Sequence, residues 1–310
     1  MWNKTKVILL IIISVFIVSC NQNNENIIDT NITISKNFGQ TIDKKYIKES
    51  KLKTVLEITS NNFEVETAYN GGFINSINSL KSGYTDKKQK EKKDWFYYVN
   101  GYLANIGSDE YFIKKGDNII WDYHTWKSGN YTQAIIGAYP KNFTNGYNGK
   151  SLPTKLYYTL NKKEDILDLK KQINFSSIEK IEDLNKDFLT NTKNHTFIIG
   201  SVKDLENTEF LEKIFNNFKK KGLYGIIDKE KIITFSSNYK NKKIYDKGTI
   251  IVPMIKSYGE YSTVWLVLSL DKESLYKSID ILSNRPKEIR GMFSAYINDK
   301  NIISLPEKEE

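Results

Sequence analysis

His124 is one of only two histidines in this chain of 310 residues, and it sits in Asp122-Tyr123-His124-Thr125-Trp126, flanked by aromatic side chains at the end of an apolar run. A neutral imidazole is both a good metal ligand and a good hydrogen-bonding group. His124 therefore reads in two ways. It either faces a pocket and engages a metal or the amides of a ligand, or it is a strand-end histidine satisfied by a backbone carbonyl or water. Trp95, Tyr98, Tyr123 and Trp126 belong to the same short stretch, which holds three of the five tryptophans. Aromatic faces cover a large apolar area at low entropic cost, which suits them to a flat guest. Alternation along a strand splits them between two faces, so one set must be core. Asn100 and Asn105 offer amide groups to the same guest, or serve turns. His195 opens an apolar run and reads as structural.

Other chemistry is sparse. The chain has no G-x-S-x-G, no Walker loop, no H-E-x-x-H and no G-x-G-x-x-G. Two histidines leave zinc short of ligands unless carboxylates join them. Nothing singles out a catalytic pair among the 37 acidic residues. The expectation is a protein that binds rather than one that catalyses.

The elements that must position these residues are strands. Trp95-Phe96-Tyr97-Tyr98-Val99 is entirely aromatic or β-branched, and Asn118 to Tyr123 follows the turn signal Lys115-Gly116-Asp117. Asn100-Gly101 marks a tight turn, because both residues tolerate positive φ. Upstream, Thr54–Ile58 and Phe63–Thr67 alternate like half-buried strands, and Phe73–Ile77 is a third. The charge run from Asp86 to Asp94 reads as a solvated loop. Residues 52–127 thus form a small, mostly β domain.

Several of these motifs carry a family resemblance. An aromatic strand ending in Val99-Asn100-Gly101, a Gly-x-x-x-Tyr turn at Gly107 to Tyr111, Gly116-Asp117-x-Ile-x-Trp121, and the upstream Gly72-Phe73-Ile74-Asn75-Ser76-Ile77-Asn78 stand in order. Together they resemble the small β domain at the C-terminal end of transcobalamin and intrinsic factor, which also occurs free-standing in bacterial surface lipoproteins (DUF4430-type). The resemblance covers Leu52 to Trp126. It implies a β-grasp-like fold and a corrinoid ligand, cobalamin or a relative. By their own chemistry Trp95, Tyr98, Asn100, Tyr123, His124 and Trp126 are the residues offered to such a ligand, with the His124 imidazole as a candidate cobalt ligand. The animal carriers grip their ligand between this domain and an α-helical barrel. No such barrel is present here, and their cobalt-binding histidine is not in the β domain.

The N-terminus addresses location. Lys4 and Lys6 precede Val7–Val18, which is apolar except for Ser14 and too short to cross ~30 Å of hydrocarbon as a helix. Ile17-Val18-Ser19-Cys20 resembles the lipobox of bacterial lipoproteins. Cys20, the only cysteine, would take a diacylglyceryl group and become the first mature residue, so no intramolecular disulfide can form. A lipid-anchored protein on the outer face of the cell membrane is expected. Loss of Lys4 and Lys6 with a 1–20 signal peptide lowers the formal charge from +9 to +7. Those lysines are interspersed with acidic residues, which describes a solvated surface rather than a nucleic-acid patch, and one suited to anionic lipid head groups. Asn21-Gln22-Asn23-Asn24-Glu25-Asn26 cannot build a core, and residues 21–51 read as a flexible tether.

About two domains are expected at this length. Beyond the β domain, residues 128–153 form a connector rich in Gly, Asn and aromatics, which either lines a cleft or straps one. Residues 154–306 alternate strands and helices. Val264–Leu270 is the most apolar strand and the expected centre of the sheet. The run from Thr208 to Phe218 has helical spacing, and Asp271 caps a helix carrying Leu275, Ile279 and Leu282. The fold class is α+β, a small β-grasp-like domain followed by a layered α/β domain. The functional expectation is an extracytoplasmic protein that captures cobalamin or a related corrinoid for a membrane transporter. The alternative is a structural lipoprotein that binds protein or cell-wall polymer.

Overall fold

A computed structural model describes residues 28–49, 51–68, 72–83, 92–125, 132–181, 186–205 and 209–308. Cys20 and Trp126 lie outside the described residues. The fold is mixed α+β.

The first sheet has the order β2-β1-β8-β6-β7, built from β1 (Ile28–Lys36), β2 (Gln40–Glu49), β6 (Lys93–Val99), β7 (Tyr102–Leu103) and β8 (Asn118–Thr125). The 21–51 tether is corrected here, because residues 28–49 are two of the sheet's five strands. Ile28, Ile32 and Ile34 of β1 are buried, and β1 runs parallel to β8 from Asn31 opposite Asn118 to Lys36 opposite Tyr123. Alternating isoleucines spaced by Asp, Asn and Thr make the period-two pattern of a strand.

Thr54–Ile58 is also corrected, from strand to the start of helix α1 (Val55–Asn62). Thr54 accepts from the Glu57 amide while the Glu57 carboxylate accepts from the Thr54 amide, a reciprocal capping box that outweighs the apparent alternation. Val55, Ile58 and Thr59 then fall on one buried face. The Trp121 indole donates to Thr59 Oγ1 across 3.0 Å, fixing α1 on the sheet. Strands β3 (Val65–Ala68), β4 (Phe73–Ile77) and β5 (Leu80–Lys81) make a small sheet beside it.

The turn between β6 and β7 follows its sequence. Asn100 and Gly101 both have positive φ, 52° and 86°, as the tight hairpin turn requires.

The second, seven-stranded sheet has the order β10-β9-β11-β16-β15-β17-β18. Its strands are β9 (Thr154–Tyr158), β10 (Phe175–Lys180), β11 (His195–Ser201), β15 (Thr249–Ile255), β16 (Thr263–Ser269), β17 (Ser294–Ile297) and β18 (Ile302–Leu305). β16 is central, buried along its whole length, parallel to β11 and antiparallel to β15. One face packs on α5 (Lys272–Asn284) through Leu275, Ile279 and Leu282 against Phe197, Trp265 and Val267. The Asp271 side chain caps α5 at the Ser274 amide. The other face packs on α4 (Glu209–Phe215) and a three-stranded sheet, β12 (Gly225–Asp228), β13 (Lys231–Phe235) and β14 (Lys242–Tyr245).

Residues 132–149, with short helix α2 (Lys141–Thr144), act as a strap. Tyr139 and Phe143 pack on Trp265 at ring separations of 5.7 and 5.0 Å. Helix α3 (Glu164–Leu167) continues as a 3-10 turn through Lys171 and buries Ile166 and Leu169.

The two halves share a core. Phe38, Tyr98 and Ile120 of the first sheet region lie in one apolar cluster with Tyr224, Phe293 and Tyr296.

Candidate functional site

Both faces of the aromatic strand pair are covered. On one, Tyr97, Val99, Ile119 and Trp121 pack on α1, with Trp95 at the margin. Trp95 donates its indole N–H to Leu80 O, and the Tyr123 hydroxyl donates to Lys81 O, so each ring is tied to β5. On the other face, Tyr98 lies edge-on to Phe293 at 5.3 Å and donates to Thr132 O. The free aromatic platform expected from the sequence is therefore corrected. Alternation divides the rings as expected, but a second domain covers the face that would have been open.

His124 is 3% exposed. Its ring lies between Phe96, stacked at 4.3 Å, and Phe38 at 4.4 Å, with Phe293 edge-on at 5.7 Å. Nδ1 lies 2.8 Å from Asp122 Oδ2. A carboxylate accepts, so Nδ1 carries the proton. The fully buried Asp122 also accepts from Ser35 Oγ (2.6 Å) and from the backbone amides of Phe38 and Gly39 (both 2.9 Å). Asn37 and Phe38 have positive φ, and this turn aims successive amides at one anion, a small backbone nest. The network satisfies a buried charge and locks the β1–β2 turn. No group of three or more His, Cys, Asp and Glu side chains that could hold a metal occurs among the described residues.

Asn100 is also fully engaged. Its amide donates to Asp117 Oδ1 (2.7 Å) and Gly146 O (2.8 Å), and its carbonyl accepts from the Asn118 amide. Burial raises the Asp117 carboxyl above its ordinary range. Asn105 accepts from the Tyr147 hydroxyl at 3.3 Å. His195 is buried, with Nδ1 3.0 Å from Thr263 Oγ1. Burial, with some help from Lys256, pushes its pKa down to about 3, so it is neutral near pH 7.

An opening the sequence reading did not single out lies at the far end of the second sheet. A cleft of about 460 Å³ forms where β15 ends and β16 begins, beside α4. That is the size of a small-ligand site. Its floor is apolar, from Ile214, Met254 and Val264, and four lysines stand around it, Lys213, Lys220, Lys221 and Lys256. No acidic residue lines it among the described residues. Lys213 pairs with Glu209 at 2.9 Å. The Lys256 ammonium donates to Asn191 O (2.9 Å) and Asn194 O (2.8 Å). Burial, then repulsion from Lys155, lowers its pKa to about 8. Burial also lowers that of Lys221. Three of these lysines fall within nine residues, 213 to 221, and only the fold brings Lys256 to them; the local signal is Lys219-Lys220-Lys221 just before Gly222.

A second cleft of about 420 Å³ is also lysine-lined, but it contains Glu307, whose carboxylate lies 2.6 Å from Lys243 Nζ. One of its four lysines, Lys243, thus has a carboxylate partner within the lining.

Residues 53–125 match the family described as a domain of unknown function, DUF4430, which is where the sequence resemblance lay. No curated protein matches the chain. Among solved structures, a "putative metal binding protein" from Ruminococcus gnavus ATCC 29149 is similar at 15% identity, over 32% of this chain and 98% of that one, with a TM-score of 0.25. Haptocorrin in complex with Cbi is similar at 17% identity, over 35% of this chain and 28% of that one, with a TM-score of 0.27.

Proposed function

We propose that this chain is an exported, lipid-anchored protein of the outer face of the cell membrane that captures a small molecule without chemically altering it. The observation that carries the capture reading is the apolar-floored cleft between α4 and the β15–β16 end of the second sheet. The export and anchor reading rests on the Lys4-to-Cys20 pattern. In this reading the DUF4430-type domain is a brace, and the α/β domain holds the ligand for a membrane transporter.

The corrinoid expectation is the finer reading of the family resemblance. Against it stand the packing of Phe38, Phe96 and Phe293 around His124 and a cleft smaller than a corrin macrocycle with its nucleotide tail. The closed aromatic faces favour the second reading, a lipoprotein whose β domain serves assembly.

Titrating the chain from Asn21 onward with cobalamin and with small organic anions, while following tryptophan fluorescence and melting temperature, separates these readings. A saturable signal from a small ligand supports capture, and one-equivalent quenching by cobalamin restores the corrinoid reading. Silence from every ligand leaves the assembly reading. Labelling of the chain by radioactive palmitate, abolished by Cys20→Ala, tests the anchor.

A further inference from the structure

We infer that the cleft beside α4 takes an amphiphilic anion, a small molecule with a phosphate- or carboxylate-type head and an apolar body. This rests on the capture reading and names the ligand's class.

Lys221 sets the requirement. Its ammonium is half-buried and has no hydrogen-bond or ion-pair partner among the described residues. A charge withdrawn from water without a counter-charge is unfavourable unless something supplies one. Lys256 does not relieve this, because its acceptors are neutral carbonyls and an amide oxygen. Lys220 adds a third positive charge at the rim. Among the described residues only Lys213 has a carboxylate partner, outside the lining. The second lysine-lined cleft differs in holding a carboxylate in its own lining, Glu307, which pairs with Lys243. Among the described residues no carboxylate lines the cleft beside α4, and an oxyanion accepting charge-assisted hydrogen bonds would supply the counter-charge.

The floor defines the rest of the ligand. Ile214, Met254 and Val264 are core residues, 1%, 4% and 0% exposed, so the apolar surface open to the cleft is that of the half-buried Leu189 and Ile255. A bare inorganic ion would leave that surface wet, whereas a short aliphatic or aromatic body would cover it. Head and body together bind more tightly than either alone.

The test uses the full chain in neutral detergent, with phenyl phosphate as the probe and inorganic phosphate and benzylammonium as controls, read by titration calorimetry. Phenyl phosphate should bind at one equivalent, at least about tenfold tighter than inorganic phosphate, with benzylammonium silent. Lys221→Gln should weaken phenyl phosphate about tenfold with an unchanged melting temperature, and Lys221→Arg should restore most of the affinity. Binding of phenyl phosphate unaffected by Lys221→Gln, or no binding at all, overturns the inference. Binding of benzylammonium or phenol instead, sensitive to Leu189→Ala, overturns the anion class while leaving the capture reading intact.

Discussion

Asp122 stands between Ser35 and His124, its two carboxylate oxygens 2.6 Å from the serine hydroxyl and 2.8 Å from the imidazole. The three residue types are those of a nucleophilic triad, in an order that cannot work as one. The serine bonds to the carboxylate and not to the imidazole, so no base is placed to take its proton. The carboxylate instead gathers four donors and ties β1, the β1–β2 turn and β8 together. Asp122→Ala leaves those donors buried and unpaired and should cost about 3 kcal/mol in urea unfolding. A loss below about 0.5 kcal/mol would mean that water replaces the carboxylate.

His124→Ala removes a ring held between Phe38 and Phe96. It should lower the melting temperature by several degrees, as expected for about 2–3 kcal/mol in a cavity-forming change. Aquocobalamin mixed with the wild-type chain should keep its free visible spectrum. A band shift present in wild type and lost in His124→Ala would restore the histidine as a cobalt ligand.

Acid should act through His195. Its folded pKa, about 3, lies below the ordinary value of 6.5. Between those two values the unfolded chain binds the extra proton, so this residue's contribution to stability falls as pH drops below about 6.5 and levels off near 3. Between pH 7 and 4.5, His195→Gln should lose about 2 kcal/mol less unfolding free energy than wild type. Equal losses in the two proteins would place the acid sensitivity elsewhere.

Anion binding in the cleft should weaken as pH rises through about 8, where Lys256 loses its charge. The groups facing it are Lys155, His195 and the lysines at 213, 220 and 221. His195 is already neutral there, so the drop belongs to the lysines. Phenyl phosphate affinity measured at pH 7 and 9 should fall several-fold, and a flat profile would remove Lys256 from the site.

Removing residues 21–51 should abolish cooperative folding. β1 lies between β2 and β8, and Ile32 and Ile34 enter the core under α1. Circular dichroism of the shortened chain should show no sigmoidal melt. A normal melt would return those residues to the role of tether.

What could be read from the residues was local. Val264–Leu270 announced the middle of the sheet because only a strand covered on both faces tolerates so continuous an apolar run. Asn100-Gly101 and the Asp271 cap were equally legible, since turn and cap chemistry needs no partner from afar. Thr54–Ile58 misled because its alternation hid a capping box. β1 was readable, yet its neighbour β8 lies far along the chain, and the polar run before it drew the boundary too late. The site failed for a different reason. Periodicity assigned Tyr98 to a face but could not say that Phe293 would cover it, or that the same ring would close on His124. Lys256 joins the lysines at 213, 220 and 221 only after the end of β15 has packed beside α4.

The early start of β1 has a mechanical corollary. In the proposed anchored form only residues 21–27 separate the acylated cysteine from Ile28, a leash of at most ~25–30 Å even fully stretched. A thirty-residue tether would have let the folded body roam roughly four times as far. This molecule would instead ride within its own diameter of the lipid surface, able to hand cargo to a neighbour in the same bilayer and out of reach of anything beyond the first layers of the envelope.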